Sequence, residues 1–219
     1  MNEQISIEES IDKVFFLQKS SLQRLKNSSP EERVAKLKSI ENYMLSHKQD
    51  LYDALYADFK KPSSEVVIGE LLGVKREIAH IISHLKSWMK PKKVGTPLLL
   101  LGTQGYIMSE AKGLCLIIAP WNYPFNLAIN PLVHAIAAGN SVILKPSELS
   151  PNTSSFIKKM IFSLFDQSEV AVFEGDATVS SYLLELKFDH IFFTGSPAIG
   201  KVVMQAAAKN LTSVTLELG

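Results

Sequence analysis

One cysteine, Cys115, occurs in 219 residues. That scarcity excludes an internal disulfide framework and fits a reducing compartment. Long apolar runs are also missing. The longest run of leucines, Leu98 to Leu101, falls far short of the ~20 residues that span a bilayer. No charge of one sign predominates: 23 basic and 22 acidic residues leave a formal +1. This balance argues against nucleic acid or an anionic membrane as the main partner. The opening, MNEQISIEES, has neither the basic stretch nor the apolar core of a signal peptide. Of the five histidines, only His80 and His84 stand at ligand spacing. They lack a third ligand, so no metal is expected. Repeats and low-complexity segments are absent. What remains is an ordinary globular composition, 46% hydrophobic and 21% charged. It is long enough for one large domain, or a domain with an appendage, in the cytoplasm.

Helical spacing of apolar residues dominates the first third. Ile7, Ile11, Val14, Phe15, Leu22 and Leu25 predict a helix over 5–26. Ser29 before Pro30-Glu31-Glu32 predicts an N-cap and a restart, with the glutamates facing the positive end of the helix dipole. A third helix around Leu51, Leu55 and Phe59 ends at Lys61-Pro62. A fourth runs from about Ser64 to Trp88 with Val67, Leu71, Ile78, Ile81 and Leu85 on one side. These helices read as scaffold. Between 93 and 112, Pro97–Leu101 and Tyr106–Met108 flank a Gly102–Gly105 turn and suggest a hairpin. It is either a connector or an edge recruited for oligomerisation.

From Gly113 onward strands and helices alternate. Leu114–Ile118 and Val142–Leu144 bracket a helical stretch containing Leu127, Leu132 and Ile136, which makes a βαβ unit. Further helices are expected from Ser150-Pro151, over Thr178–Leu186 and after Gly195. Strands are expected at Val170–Phe173, Phe188–Thr194 and Val214–Leu218. The pattern predicts a doubly wound α/β domain of about five parallel strands. Ligands of such sheets sit beyond the carboxyl ends of the strands.

Those ends carry the polar residues. Gly195-Ser196 opens a helix whose free N–H groups and dipole suit phosphate, and Gly200 would let that helix pack closely. The spacing is G-x-x-x-x-G, so a plain structural turn competes with this reading. Lys145 and Glu148 suit ribose hydroxyls, or else form a solvated ion pair. Asn122 offers a side-chain N–H₂ to a developing oxyanion, or is only a turn residue. Glu217, amid Val214, Leu216 and Leu218, is expensive if buried and then suits a general base, though an alternating strand would turn it to water. Cys115 lies in an apolar run that raises a thiol pKa, and reads as inert.

Together Pro120-Trp121-Asn122-Tyr123-Pro124, Lys145-Pro146-Ser147-Glu148, Phe193-Thr194-Gly195-Ser196 with Gly200, and Leu216-Glu217-Leu218-Gly219 resemble the aldehyde dehydrogenase superfamily in order and spacing. Trp88-Met89-Lys90-Pro91 and Phe188-Asp189-His190-Ile191 are most similar to its class-three, fatty-aldehyde branch. The resemblance implies a Rossmann-like parallel sheet preceded by an amino-terminal helical region, with a protruding hairpin. It implies amino-terminal helices over 1–92, an oligomerisation hairpin at 93–112 and a dinucleotide-binding domain at 113–219. It also implies oxidation of an aldehyde substrate to a carboxylic acid through a cysteine thioester. Asn122 is then the oxyanion donor and Glu217 the base. Thr194, Gly195, Ser196 and Gly200 form the pyrophosphate turn, and Lys145, Ser147 and Glu148 lie near the adenosine ribose. Pro120 and Trp121 become pocket walls. NAD is the implied cofactor, with NADP also accepted in that branch, and a homodimer the implied assembly. The family's nucleophilic cysteine follows the Glu-Leu-Gly segment in a separate domain, so a truncated enzyme without its nucleophile is expected. The alternative is a stand-alone, non-catalytic dinucleotide-binding or assembly module.

Overall fold

Capping chemistry sets where the first helices begin. The computed structural model describes residues 6–219. Helix α1 spans Ile7–Lys26, and Ser6 and Glu9 exchange side-chain and backbone hydrogen bonds as a capping box. The helix predicted from residue 5 therefore starts just inside the described residues, and position 5 lies outside them. Helix α2, Pro30–Ser46, starts as expected: Ser29 accepts the Glu32 N–H and Pro30 takes the first turn. Helix α3 covers Lys48–Phe59.

The fourth expected helix is interrupted. Helix α4, Ser63–Val66, and helix α5, Leu72–Trp88, are joined through a π-helical turn at Val67–Leu71. The wider turn shifts the inward face by one position. Val66 is fully buried, whereas Val67, expected inside, is 40% exposed. Glu70 and Leu71 both face inward as a result.

Strands β1, Lys92–Val94, and β2, Gly105–Ile107, pair antiparallel as a two-stranded hairpin. The leucine run does not form a strand. Leu98–Leu100 is a 3-10 turn at the tip, and Leu99 is 98% exposed.

The main sheet follows from alternation of strand β3 (Leu114–Ile118), helix α6 (Asn126–Ala138), strand β4 (Ser141–Lys145), helix α7 (Pro151–Leu164) and strand β5 (Val170–Val172). Helix α8 (Ala177–Glu185), strand β6 (His190–Gly195), helix α9 (Pro197–Ala208) and strand β7 (Ser213–Leu218) complete it. All neighbours are parallel, in the order β5-β4-β3-β6-β7.

Both faces of β3 and β4 are buried, which is why they read as unbroken apolar runs. Cys115 and Ile117 face a core built with α6, α7, α2, α3 and α5. Leu114, Leu116 and Ile118 face a second core with α1, α8 and α9. Over β6 and β7 the layering is one-sided. Ile191, Phe193, Val214 and Leu216 pack toward α9, whereas His190, Phe192 and Thr194 line a large cavity beside α6.

Candidate functional site

Strand β3 connects through α6 to β4 on one side, while β6 arrives on its other side after the α8 crossover. The order of the sheet therefore reverses between β3 and β6. Open parallel sheets bind ligands at the carboxyl edge of such a reversal. A cavity of about 1030 Å³ runs along the sheet from that edge, where Trp121, Asn122, Thr194, Ser196 and Glu217 are among its walls, to Cys115 and His190 near the amino ends of β3 and β6.

Each wall has a local cause. The loop after β3 begins at Pro120, which has no N–H to extend a strand. Among the described residues, Pro120, Trp121 and Asn122 make no backbone–backbone hydrogen bond. Asn122 is held otherwise. Its Oδ1 accepts the Tyr123 N–H at 3.1 Å, and its carbonyl accepts from Lys61 Nζ at 2.7 Å. That leaves the Asn122 N–H₂ without a partner among the described residues.

On the other side of the reversal, Thr194 of β6 stands in register with Glu217 of β7. Glu217 is exposed at the cavity rather than embedded among its apolar neighbours. Of the two placements that the sequence leaves open, the exposed one is found: alternation sends Leu216 inward and Glu217 to the open face. After Gly195, Ser196 caps α9 by accepting the Ile199 N–H at 3.4 Å. A Cβ on Gly195 would sit 2.5 Å from the Phe193 ring, so only glycine lets that ring fold beneath the turn.

Lys145, Ser147, Glu148 and Gly200 are not walls of this cavity. Gly200 is a packing residue, where a Cβ would lie 2.7 Å from Leu218 Cδ2. Ser147 Oγ accepts the Leu149 N–H at 3.2 Å and shapes the loop. Lys145 ends β4 only 2% exposed, and its Nζ donates to Glu148 Oε2 at 2.6 Å. Burial pushes the Glu148 carboxyl upward, but the Lys145 hydrogen bond and charge outweigh it and hold the group below its ordinary value. No second partner for Lys145 Nζ occurs among the described residues. An ammonium has three protons, so a buried donor with capacity to spare stands beside an ionised acceptor. That pair suits a vicinal diol, and the helix start at 196 suits a phosphate. The residues present therefore fit a dinucleotide.

Cys115 forms part of the cavity floor, but burial first, and the Asp189 charge second, push its thiol up to about 12. Among the described residues no group of three His, Cys, Asp or Glu is placed to hold a metal ion. None of the described helices is long and apolar enough to cross a membrane.

Two residues that read as scaffold touch the site. Glu70, 0% exposed, accepts from Lys61 Nζ at 2.8 Å and from the Asn126 N–H at 2.9 Å. The signal was a lone carboxylate between buried positions, hidden because the π turn changes which positions are buried.

A family model described as "Aldehyde dehydrogenase family" matches residues 4–219. Mouse "Aldehyde dehydrogenase family 3 member B2" is 48% identical over 189 residues, 86% of this chain and 40% of that protein. A solved structure, "Substrate bound state of Staphylococcus Aureus AldH", superposes with a TM-score of 0.92 at 42% identity, covering 95% of this chain and 46% of the other. A Mycobacterium tuberculosis aldehyde dehydrogenase complexed with NAD+ has the same fold, with a TM-score of 0.87 at 21% identity over 98% of this chain and 44% of its own. The chain thus spans less than half the length of each of these relatives.

Proposed function

We propose, from the premise that this chain belongs to the aldehyde dehydrogenase family, that it supplies the dinucleotide cradle, oxyanion donor and general base for NAD(P)-dependent oxidation of an aldehyde to a carboxylic acid. One observation carries the reading. Asn122, from one side of the strand-order reversal, shares a cavity with Glu217 and the 194–196 turn, from the other.

In this reading the substrate carbonyl lies beside Asn122. As its carbon becomes tetrahedral, its oxygen gains negative charge and accepts from the unpartnered Asn122 N–H₂. A preorganised donor of this kind is worth roughly 3–4 kcal/mol. The carboxamide keeps its aim because Tyr123 N–H holds its oxygen. Glu217 takes a proton from the water that cleaves the thioester and later returns it to bulk solvent. The open face gives that water access. When bound, the nicotinamide supplies the two-electron acceptor for the aldehyde carbon. Lys145 and Glu148 hold ribose hydroxyls, and the ionised Glu148 repels a 2′-phosphate, favouring NAD over NADP. Cys115 is too weakly acidic to be the thiolate. The nucleophile is therefore assigned to a cysteine outside residues 1–219.

The same reading gives residues 113–219 to the dinucleotide, 1–92 to support and 93–112 to a homodimer contact. The exposed leucines of the hairpin tip favour the last assignment. A single cysteine favours a cytoplasmic setting. The buried thiol also favours a second reading, a dinucleotide-binding module that does no chemistry. Glu217→Gln separates the two in the aldehyde-oxidising enzyme that carries this chain. Rapid-quench kinetics should show a full first burst of reduced cofactor followed by steady turnover slowed about 100-fold or more, within the range for loss of general base catalysis. Unchanged steady turnover would exclude Glu217 as base. Absence of any aldehyde oxidation by the unsubstituted enzyme would favour the module.

A further inference from the structure

We infer that Lys61 and Glu70 are positioning residues for Asn122, a pair that ties the oxyanion loop and the start of α6 to the π-helical turn. The inference rests on the reading of Asn122 as oxyanion donor.

Consider first what else could hold this loop. Pro120, Trp121 and Asn122 have no backbone–backbone hydrogen bond among the described residues, so the strand and helix ladders do not fix them. The Asn122 carbonyl has one partner there, the Lys61 ammonium at 2.7 Å. Lys61 is itself constrained on three sides: its Nζ also reaches Glu70 Oε1 at 2.8 Å and lies 4.4 Å from the centre of the Tyr123 ring. Two of its three protons have named acceptors, and the Tyr123 ring faces the charge.

Glu70 completes the frame. Helix α6 starts at Asn126, and its N-cap, Phe125, offers no side-chain hydrogen bond. Glu70 Oε2 supplies that cap from another helix by accepting the Asn126 N–H at 2.9 Å, and the charge sits at the positive end of the α6 dipole. Asn126 Nδ2 returns a bond to the Gly69 carbonyl at 2.8 Å. A Cβ on Gly69 would lie 2.9 Å from Tyr123 Cε1, so glycine there admits the ring that flanks Lys61.

A carboxylate with no exposure is costly to keep ionised, and a hydrophobic replacement is often as stable. Packing alone therefore gives no reason for a charged pair here. Aim does. Apart from the bond that joins them, the side-chain hydrogen bonds of Glu70 and Lys61 end on the segment 122–126, between the oxyanion donor and the first turn of α6. The π turn is what points Glu70 there, and such turns concentrate at functional sites.

The test uses the paired variant Lys61→Met with Glu70→Gln, which leaves no unmatched buried charge. In the 219-residue chain, its carbon-detected NMR spectrum should show the Asn122 carbonyl and Tyr123 amide signals displaced, with thermal melting confirming the fold. Unmoved signals in a folded variant would overturn the inference. In the aldehyde-oxidising enzyme carrying the chain, the pair should lower kcat about 10- to 100-fold, as small misplacements of a catalytic group do. The dissociation constant for NAD+, measured by calorimetry, should stay the same. Added to Asn122→Ala, the pair should cost nothing further, and Lys61→Arg alone should recover part of the rate. Multiplying losses would mean that the pair acts elsewhere, and the inference would fail. Should Asn122→Ala itself leave turnover intact, the oxyanion reading falls instead, while the NMR arm still decides whether the pair holds the loop.

Discussion

At the scale of single residues, Lys145 and Cys115 show how burial divides polar groups into prepared and silenced ones. Both are nearly inaccessible. Lys145 keeps a carboxylate within 2.6 Å and two protons unclaimed among the described residues, whereas at Cys115 burial and the Asp189 charge outweigh the opposing charge of Lys112. Replacing Lys145 by Met should therefore weaken NAD+ binding about 10- to 100-fold, the value of a hydrogen bond to a charged group. Isothermal calorimetry reads this directly, and an unchanged constant would remove Lys145 from the cradle. The silence of Cys115 was legible from Leu114-Cys115-Leu116-Ile117. The placement of Glu217 was legible only as a choice between inside and outside, because its register against Thr194 depends on the neighbouring strand.

Among the elements, beginnings were easier to read than interiors. Ser29 and Pro30 announce α2 because a cap and a preset φ act within a few residues. The π turn was invisible, since one extra residue leaves helical spacing intact on either side of it. Its concealment also hid Lys61 and Glu70. The leucines at 98–101 look like a strand by composition, but no strand among the described residues pairs with them, and the hairpin strands lie outside them. The end of α6 offers a sharper test. Gly139 caps that helix at φ +86°, and an added Cβ would meet Arg33 Nη2 at 2.5 Å. Arg33 there donates to the Ala137 carbonyl at 3.0 Å and the Lys26 carbonyl at 3.0 Å, joining the ends of α6 and α1. Gly139→Ala should destabilise the fold by about 1–3 kcal/mol, the cost of a strained left-handed backbone. Urea denaturation should show a lower midpoint, and an unchanged one would mean that Arg33 moves aside freely.

For the whole molecule, the one-sided cover of β6 and β7 makes stability depend on pH. His190 lies half-buried on that face, its ring nitrogens 2.8 Å from Ser213 Oγ and 3.1 Å from Thr215 Oγ1. Burial first, and the Lys112 charge second, lower its pKa from 6.5. The unfolded chain thus takes up the proton before the folded one. Stability is complete above the unfolded pKa and declines as pH falls from there toward the folded value. Urea melts between about pH 7 and pH 5 should show this decline, and His190→Asn should flatten it. An equal slope in that variant would assign the effect to other groups.

The strand order also dictates a timetable. Strand β3 gains β4 through one short crossover, yet its opposite edge stays bare until β6 has been synthesised. While the ribosome is still making α7, β5 and α8, the future floor of the cavity is an unclosed seam able to zip onto any passing strand. The ligand cleft is thus the last part of this sheet to come into being.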